Sequence, residues 1–461
     1  MKKLTVALLN DSFPPTIDGV ANVVLNYARN IQAHYGTAVV ATPRYPGVVD
    51  NYPFEVIRYP SASLGERVGY RAGYPFDPVA VTQIEKRNVD IIHTHCPFAS
   101  TILARVLRYY TGAPVVFTYH TKFDYDIERR LALDSLRKAS VQLLLANISA
   151  CDEVWAVSHG AGENLRSLGY TGSYVVMENG TDFPKGRAPQ EQLDALSQQY
   201  GLNDGLPVFL FVARMVWYKG LRLILDGLAA SKARGRQFHA LFVGDGIDRQ
   251  EVEAYAAKLG LDGCSTFTGA IHDRDLLRAF YSRADLFLFP NDYDTSGIVV
   301  KEAAACACPS LLLKGSCAAE GVVGGKNGLL TDNSAEHFAD QLEIAWKDPQ
   351  RLHDIGRDAS DSVYLSWEDA VARAYDRYQQ VMENYARTKP RHLLPAGQML
   401  FKGLHGVQRT ARAAGYHVQR AHHTYRLAGR ALKRKSLQAG TTVKRKVRDE
   451  LQKISDDFKE P

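Results

Sequence analysis

The chain has 461 residues, of which 46% are hydrophobic and 23% charged. That balance fits a soluble globular protein of about two to four domains, and it excludes a collagen, a mostly disordered chain and a disulfide-stapled mini-protein. The formal charge of +6 is split: residues 389–461 carry 17 Lys+Arg and 5 Asp+Glu, while residues 1–388 carry 39 and 45, so a strongly basic tail follows an acidic body. Met1-Lys2-Lys3 and the apolar Leu4–Leu9 imitate a secretion signal. The apolar run stops at Asn10-Asp11 with no small-residue cleavage site, so it reads as a first buried strand. No run approaches the ~20 apolar residues of a membrane span. The six cysteines lack the spacing of a zinc ribbon or a redox motif and read as thiols in a reducing cytosol. The expected location is cytoplasmic, peripheral on the inner face of the cell membrane.

Short apolar runs alternate with helical patterns through residues 1–340. Continuous β-branched and aromatic runs predict strands buried on both faces. The first series is Leu4–Leu9, Ala38–Ala41, Ile91–His93, Val115–Thr118, Glu153–Val157 and Tyr174–Met177. The second is Val208–Val212, Ala240–Val243, Ser265–Thr268, Leu286–Phe289 and Ser310–Leu313. The polar stretch Pro184–Pro207 separates them. The pattern predicts an α/β chain of two facing Rossmann-like, doubly wound parallel-sheet domains, residues 1–186 and 205–366. Ligands of such sheets bind beyond the carboxyl ends of the strands, so the expected site is a cleft between the two. A helix over 367–388 is expected to close the body and pack back toward the first domain.

From Arg391 the pattern changes. Leu400, Leu404, Val407, Ala411, Ala414, Val418, Ala421, Tyr425, Ala428 and Leu432 follow a 4-3 spacing, with Arg409, Arg412, Arg420, Arg430 and Lys433 outside the stripe. Residues 391–461 therefore read as a basic amphipathic helical tail for an anionic membrane surface. A weak coiled coil and a solvated tail are the alternatives. Scarce aromatic residues argue against nucleic acid as a partner.

Six stretches offer chemistry. Gly19, between the first strand and an apolar-periodic helix, allows backbone N–H groups to approach an anion. The three-glycine dinucleotide fingerprint is missing, which argues against NAD. His120 follows a strand end in Phe117-Thr118-Tyr119-His120, where it can hydrogen-bond or accept a proton near neutral pH. His93 and His95 share a strand face; cleft lining or packing is favoured over a metal site, and no metal is assigned. Arg214 and Lys219, five residues apart before a helix, suit a diphosphate, with a solvated pair as the alternative. Gly244 and Gly246 mark another strand-to-glycine turn. The most informative stretch runs from Asp294 to Glu302. Thr295, Ser296, Gly297, Ile298 and Val299 offer a turn and helix-start amides to phosphate, Glu302 suits ribose hydroxyls and Asp294 sugar hydroxyls. The alternatives are an Asp N-cap and a surface Glu.

Together these pieces resemble the family-4 glycosyltransferases of the GT-B fold. The resemblance rests on Gly19, on Ser158-His159 through Leu165, on Asn179-Gly180-Thr181-Asp182, on Arg214 with Lys219-Gly220, and on Asp294-x7-Glu302. It covers roughly residues 1–388. Within the family, the segment His120-Thr121 and the basic tail look like membrane-associated diacylglycerol glucosyltransferases and phosphatidylinositol mannosyltransferases. Four departures stand out. Ala213 stands where the family has Gly, Asp294 replaces a Glu, Thr295-Ser296-Gly297 lacks the common Phe, and Ala307-Cys308 stand in an Ala-Gly-x-Pro segment. None removes a charge or a donor, so an active enzyme is expected.

The resemblance implies a retaining hexosyltransferase that uses a nucleotide-diphosphate sugar, expected to be a UDP-sugar, as co-substrate and needs no cofactor. Arg214 and Lys219 would neutralise the diphosphate as the glycosidic bond breaks. Asp294 and Glu302 would hold sugar and ribose, His120 would lie near the reacting carbon, and Gly19, Gly244 and Gly246 would let loops approach the donor. The expected acceptor is a membrane lipid such as diacylglycerol or another glycolipid precursor. The alternatives are a soluble transferase for cell-wall or exopolysaccharide precursors, a nucleotide-sugar 2-epimerase or hydrolase of the same fold, and a non-catalytic sugar-nucleotide binding protein.

Overall fold

Two parallel sheets carry the chain, and their strand orders explain where a ligand can enter. A computed structural model describes residues 3–16, 18–63, 71–123 and 134–388. The first sheet contains β1 (Thr5–Leu9), β2 (Thr37–Pro43), β3 (Glu55–Tyr59), β6 (Ile91–Thr94), β7 (Val115–Tyr119), β8 (Glu153–Ala156) and β9 (Val175–Val176), in the order β3-β2-β1-β6-β7-β8-β9. A short antiparallel pair, β4 (Ser61–Ser63) and β5 (Arg71–Gly73), stands beside it. The second sheet contains β10 (Val208–Val212), β11 (His239–Val243), β12 (Ser265–Gly269), β13 (Leu286–Phe289), β14 (Ser310–Leu313) and β15 (Leu329–Thr331), in the order β12-β11-β10-β13-β14-β15.

The central strands read as unbroken apolar runs because both faces are covered by helices. Every residue of β7 and of β10 is buried. β1 pairs β2 on one side and β6 on the other, so the connections after β1 and β6 leave the sheet in opposite directions. The same reversal occurs between β10 and β13. In such sheets ligands bind at the reversal, beyond the carboxyl ends of the strands. The loops after β1, β6, β7, β10 and β13 carry most of the residues singled out in the sequence.

The structure adds strands that the sequence reading did not include. β3 alternates half-buried and buried residues, as an outer strand does, and β15 is only three residues long. The strand expected at Tyr174–Met177 shrinks to Val175–Val176; Tyr174 packs beside Gly162 and donates its hydroxyl to Glu163 at 2.7 Å.

The helix Trp367–Thr388 joins the core of the first sheet rather than the second. Ala370, Val371, Ala374, Tyr375 and Tyr378 pack with Val6, Leu8, Val24 and Tyr27. The Tyr375 hydroxyl accepts from the Leu4 amide at 2.7 Å, which ties this helix to the entry of β1. The two chain crossings between the lobes run side by side. The Thr181 amide donates to Leu365 O at 2.9 Å, and the Trp367 amide donates to Thr181 O at 3.1 Å. A Cβ on Gly180 would stand 2.5 Å from Ser366 O, so only glycine allows this contact. The expected amphipathic tail, 391–461, lies outside the described residues.

Candidate active site

The candidate site is assembled where two loops of the second sheet meet. Gly220 has φ 82° and lies so close to the β13 exit that a Cβ there would stand 2.3 Å from Pro290 O. That approach delivers Lys219, at the end of the short turn Trp217–Lys219, to Asp294: Nζ to Oδ2 is 3.1 Å. The other Asp294 oxygen accepts from the amides of Ser296 at 3.2 Å and Gly297 at 3.3 Å. Burial alone would raise the Asp294 pKa, but Lys219 and the two amides outweigh it and hold the carboxyl below its usual range. The alternative of a solvated cation pair fails for Lys219, whose side chain is 14% exposed. Gly297, at φ 56°, turns the chain into the helix Ile298–Ala305. In its first turn the amides of Val300 and Lys301 donate back to Gly297 O at 2.9 and 3.3 Å, which leaves the amides of Ile298 and Val299 without a helical acceptor. Arg214 is exposed; its Nη2 donates to the Tyr218 hydroxyl at 3.3 Å, and the Tyr218 ring meets Tyr293 at 4.7 Å, beside Asp294.

Glu302 sits one turn further along the same helix, in a network of its own. It is buried, which overturns the surface-Glu alternative. Arg274 Nη2 donates to Oε1 at 2.7 Å, and the Tyr281 hydroxyl donates to Oε2 at 3.0 Å. Burial raises the Glu302 pKa, and Arg274 opposes that rise. Arg274 also bonds Asp182 and lies 4.2 Å over the Phe183 ring. The preceding residue, Lys301, is buried on the helix and bonds Glu178 and Asn179 O, each at 2.9 Å. Asn179 Nδ2 in turn donates to Ser296 Oγ at 2.9 Å. The segment Asn179–Asp182 therefore stitches the inter-lobe crossing to the start and the middle of the helix Ile298–Ala305.

The glycines divide. Gly244, at φ 143°, would bring a Cβ to 1.9 Å from Ala213 O, and Gly246 would bring one to 2.3 Å from Met215 O. Both are therefore required where the exits of β10 and β11 pass each other, a packing reason the sequence reading did not supply. Gly19 opens the helix Gly19–Asn30, which Asp18 caps by accepting from the Ala21 amide at 2.7 Å. A Cβ on Gly19 would meet nothing within 4 Å. The space above that turn is open.

Histidines line the first lobe. His93 bonds the Tyr378 hydroxyl through Nδ1 and Thr118 Oγ1 through Nε2, each at 2.6 Å. With both nitrogens engaged it packs rather than ligates, which removes the metal alternative for the His93–His95 pair. His120, at the exit of β7, bonds His95 from Nε2 to Nδ1 at 2.9 Å. Burial pushes the His120 pKa down to about 3. His120 is therefore neutral near pH 7, the form that hydrogen-bonds without carrying a charge. Its backbone oxygen accepts from Thr295 Oγ1 across the lobes. Lys122 Nζ reaches Asp292 O at 2.5 Å, and the Glu320 carboxylate accepts from the amides of His159 at 2.7 Å and Gly160 at 2.6 Å. The carboxyl ends of the two sheets thus face one another. Lys219, Asp294, Thr295, Ser296, Gly297 and His120 come together, Arg214 joins through Tyr218, and Glu302 lies on the same helix within a separate ion pair. Sequence reasoning missed Tyr218 and Tyr293, aromatic neighbours of Lys219 and Asp294, and also Arg274 and Tyr281, whose local sequence is that of an ordinary helix.

Residues 17–183 match the family described as Glycosyltransferase Family 4, and residues 193–361 match Glycosyl transferases group 1. The chain belongs to the family-4 glycosyltransferases. Among its relatives, a GDP-mannose-dependent alpha-mannosyltransferase of Corynebacterium glutamicum is 26% identical over 84% of this chain and 89% of its own length. An alpha-monoglucosyldiacylglycerol synthase of Acholeplasma laidlawii is 21% identical over 80% of this chain and 95% of its own. Among solved structures, a sucrose-phosphate synthase from Thermosynechococcus elongatus superposes with a TM-score of 0.66 at 20% identity, over 83% of this chain and 100% of its own. The Anabaena protein HepE in complex with UDP and glucose gives 0.63 at 18% identity, over 82% and 99%. This family-4 glycosyltransferase has the GT-B fold, and it uses a nucleotide-sugar donor.

Proposed function

We propose that this glycosyltransferase moves a hexose from a nucleotide-diphosphate sugar to a membrane lipid such as diacylglycerol or another glycolipid precursor, with retention at the anomeric carbon. The observation that carries the site assignment is the Lys219–Asp294 pair at the mouth of the helix Ile298–Ala305. It holds a cation, an acid and helix-start amides, two of them bonded to Asp294 itself, in one place before any donor arrives.

The donor would lie on the lobe of residues 205–366 and the acceptor on that of residues 1–186. Lys219 and Arg214 would take the diphosphate as charge develops on it, with the amides of Ser296, Gly297, Ile298 and Val299 assisting. Asp294, released from part of its pairing, would accept from sugar hydroxyls. Its side chain is one methylene shorter than the Glu it replaces, so the hexose would sit closer to the helix start. Glu302 would hold the ribose through lone pairs not used by Arg274 and Tyr281. His120 would bond the sugar near the reacting carbon. The leaving phosphate would take the acceptor's proton. The two-carboxylate scheme of retaining glycosidases is not invoked, because in this reading Asp294 holds the sugar and Glu302 the ribose.

Two features support a lipid acceptor: relatives named as monoglucosyldiacylglycerol synthases, and the excess of basic residues over 389–461. The tail would place the protein peripherally on the inner face of the cell membrane. The donor is UDP-glucose in this reading, while the Corynebacterium relative's name favours GDP-mannose. A thermal-shift panel of UDP- and GDP-sugars decides the donor. A match at ~100 times its dissociation constant adds about 2.7 kcal/mol to stability. Transfer to diacylglycerol-containing vesicles, and not to water-soluble sugars, then tests the acceptor. Release of nucleotide or formation of an epimer from donor alone, without any acceptor dependence, would favour the hydrolase or epimerase alternative.

A further inference from the structure

We propose that His95 is a positioning residue that fixes His120 as the tautomer carrying its proton on Nδ1, so that His120 meets the donor sugar as a hydrogen-bond donor. The inference rests on the reading of His120 as a sugar-binding group.

The two rings stack with centroids 5.2 Å apart and planes 26° apart, and they share one bond, His95 Nδ1 to His120 Nε2, at 2.9 Å. Burial pushes both pKa values down, so each ring is neutral and carries a single N–H. Two arrangements remain. In one, His120 Nε2–H donates to His95 Nδ1, and His95 must then carry its proton on Nε2. In the other, His95 Nδ1–H donates to His120 Nε2, and His120 carries its proton on Nδ1.

His95 Nε2 distinguishes them. That atom is sealed from solvent and has no hydrogen-bond partner, and His95 is 3% exposed. The first arrangement would bury an N–H with nothing to receive it. The second leaves only a bare lone pair there, and orphaned buried N–H groups are the rarer of the two. The second arrangement therefore holds. Its consequence falls on His120 Nδ1, the ring nitrogen His95 does not occupy. Among the described residues no group bonds His120 Nδ1, and it is not one of the sealed polar atoms. It is the nitrogen left for a ligand, and it bears the proton.

The pair cannot slip easily. His93 lies against His95 with centroids 4.0 Å apart and is itself held at both nitrogens by Tyr378 and Thr118. The Tyr27 ring meets His95 edge-on at 5.6 Å. Turning His95 over would break its bond to His120 without relieving the crowding.

The test uses the full chain labelled with 15N-histidine, with His120→Ala assigning the resonances. The wild-type protein should show His120 protonated at Nδ1. His95→Phe keeps the ring and removes the donor. It should lower kcat by about a hundredfold, the scale for losing one oriented donor, with KM for the nucleotide sugar and binding of the nucleoside diphosphate little changed. His95→Asn, whose Nδ2 can donate where Nδ1 did, should restore most of kcat. An Nε2-protonated His120 in the wild type overturns the proposal even if the variants fail to fold. So does wild-type kcat in His95→Phe, or an equal loss in the Phe and Asn variants. Wild-type turnover of His120→Ala would instead overturn the reading of the site on which the proposal stands.

Discussion

Three neutral histidines buried in one column should make this fold acid-sensitive well above the range in which carboxylates titrate. His93, His95 and His120 are 0%, 3% and 8% exposed, and burial lowers all three pKa values, that of His120 to about 3. In the unfolded chain each would titrate near its ordinary value of ~6.5. The sign follows: the folded pKa is depressed, so stability is full above pH ~6.5 and falls as the unfolded chain takes up protons that the folded one refuses. Each histidine then removes about 1.4 kcal/mol between pH 7.5 and 5.5, and the three together about 4 kcal/mol. That is a large part of the ~5–15 kcal/mol that holds a typical domain. Urea unfolding followed by circular dichroism at half-unit pH steps measures it. His93→Asn, His95→Asn and His120→Asn should each flatten the slope by about a third. Stability constant to within about 1 kcal/mol over that window, with the carboxylates still ionised, would refute the reasoning.

Other substitutions test separate parts of the molecule. Ala307 adopts φ 54° at the end of the helix Ile298–Ala305, where the amides of Ala307 and Cys308 close on Ala304 O and Ala303 O at 3.1 and 2.9 Å. This is a helix stop that favours glycine, so Ala307→Gly should stabilise by about 0.5–1 kcal/mol in urea melts, the left-handed penalty less the entropy glycine adds to the unfolded chain. Gly244→Ala, with its Cβ driven against Ala213 O, should cost about 2 kcal/mol or more and force the β10 and β11 loops apart, visible as a lowered Tm and weaker donor binding. Glu302→Gln should weaken nucleotide-sugar binding about tenfold, read by calorimetry, while weakening of the bare diphosphate stays small. Deleting residues 391–461 should abolish co-sedimentation with anionic vesicles while leaving donor binding intact; unchanged co-sedimentation would dismiss the tail as a lipid device.

The sheets were legible because central parallel strands are apolar on both faces, and Val208–Val212 and Leu286–Phe289 announce themselves by composition alone. β3 and β15 were not, since one alternates as an outer strand and the other is three residues long. The site was legible where chemistry is contiguous, as in Asp294 to Gly297. It was hidden where partners come from afar: Arg274 reaches Glu302 across 28 positions and Asp182 across 92. Nothing local marks such a residue. The same holds for Gly244 and Gly246, which look like ligand-binding glycines in sequence yet are demanded by the neighbouring loop at Ala213 and Met215. The histidines show the reverse case. Cleft lining or packing is the favoured reading of His93 and His95 in the sequence, and Tyr378, 285 residues from His93, occupies one of the His93 ring nitrogens.

Calorimetric titration of UDP, and separately of uridine, into the wild-type protein and into Lys219→Ala compares the grip on phosphate directly, with GDP and guanosine replacing them if the donor panel selects guanine. Loss of one charge-assisted bond should weaken diphosphate binding by about ten- to a hundredfold while the nucleoside binds as before. Equal affinity of both proteins for the diphosphate would mean that the ammonium beside Asp294 never meets it.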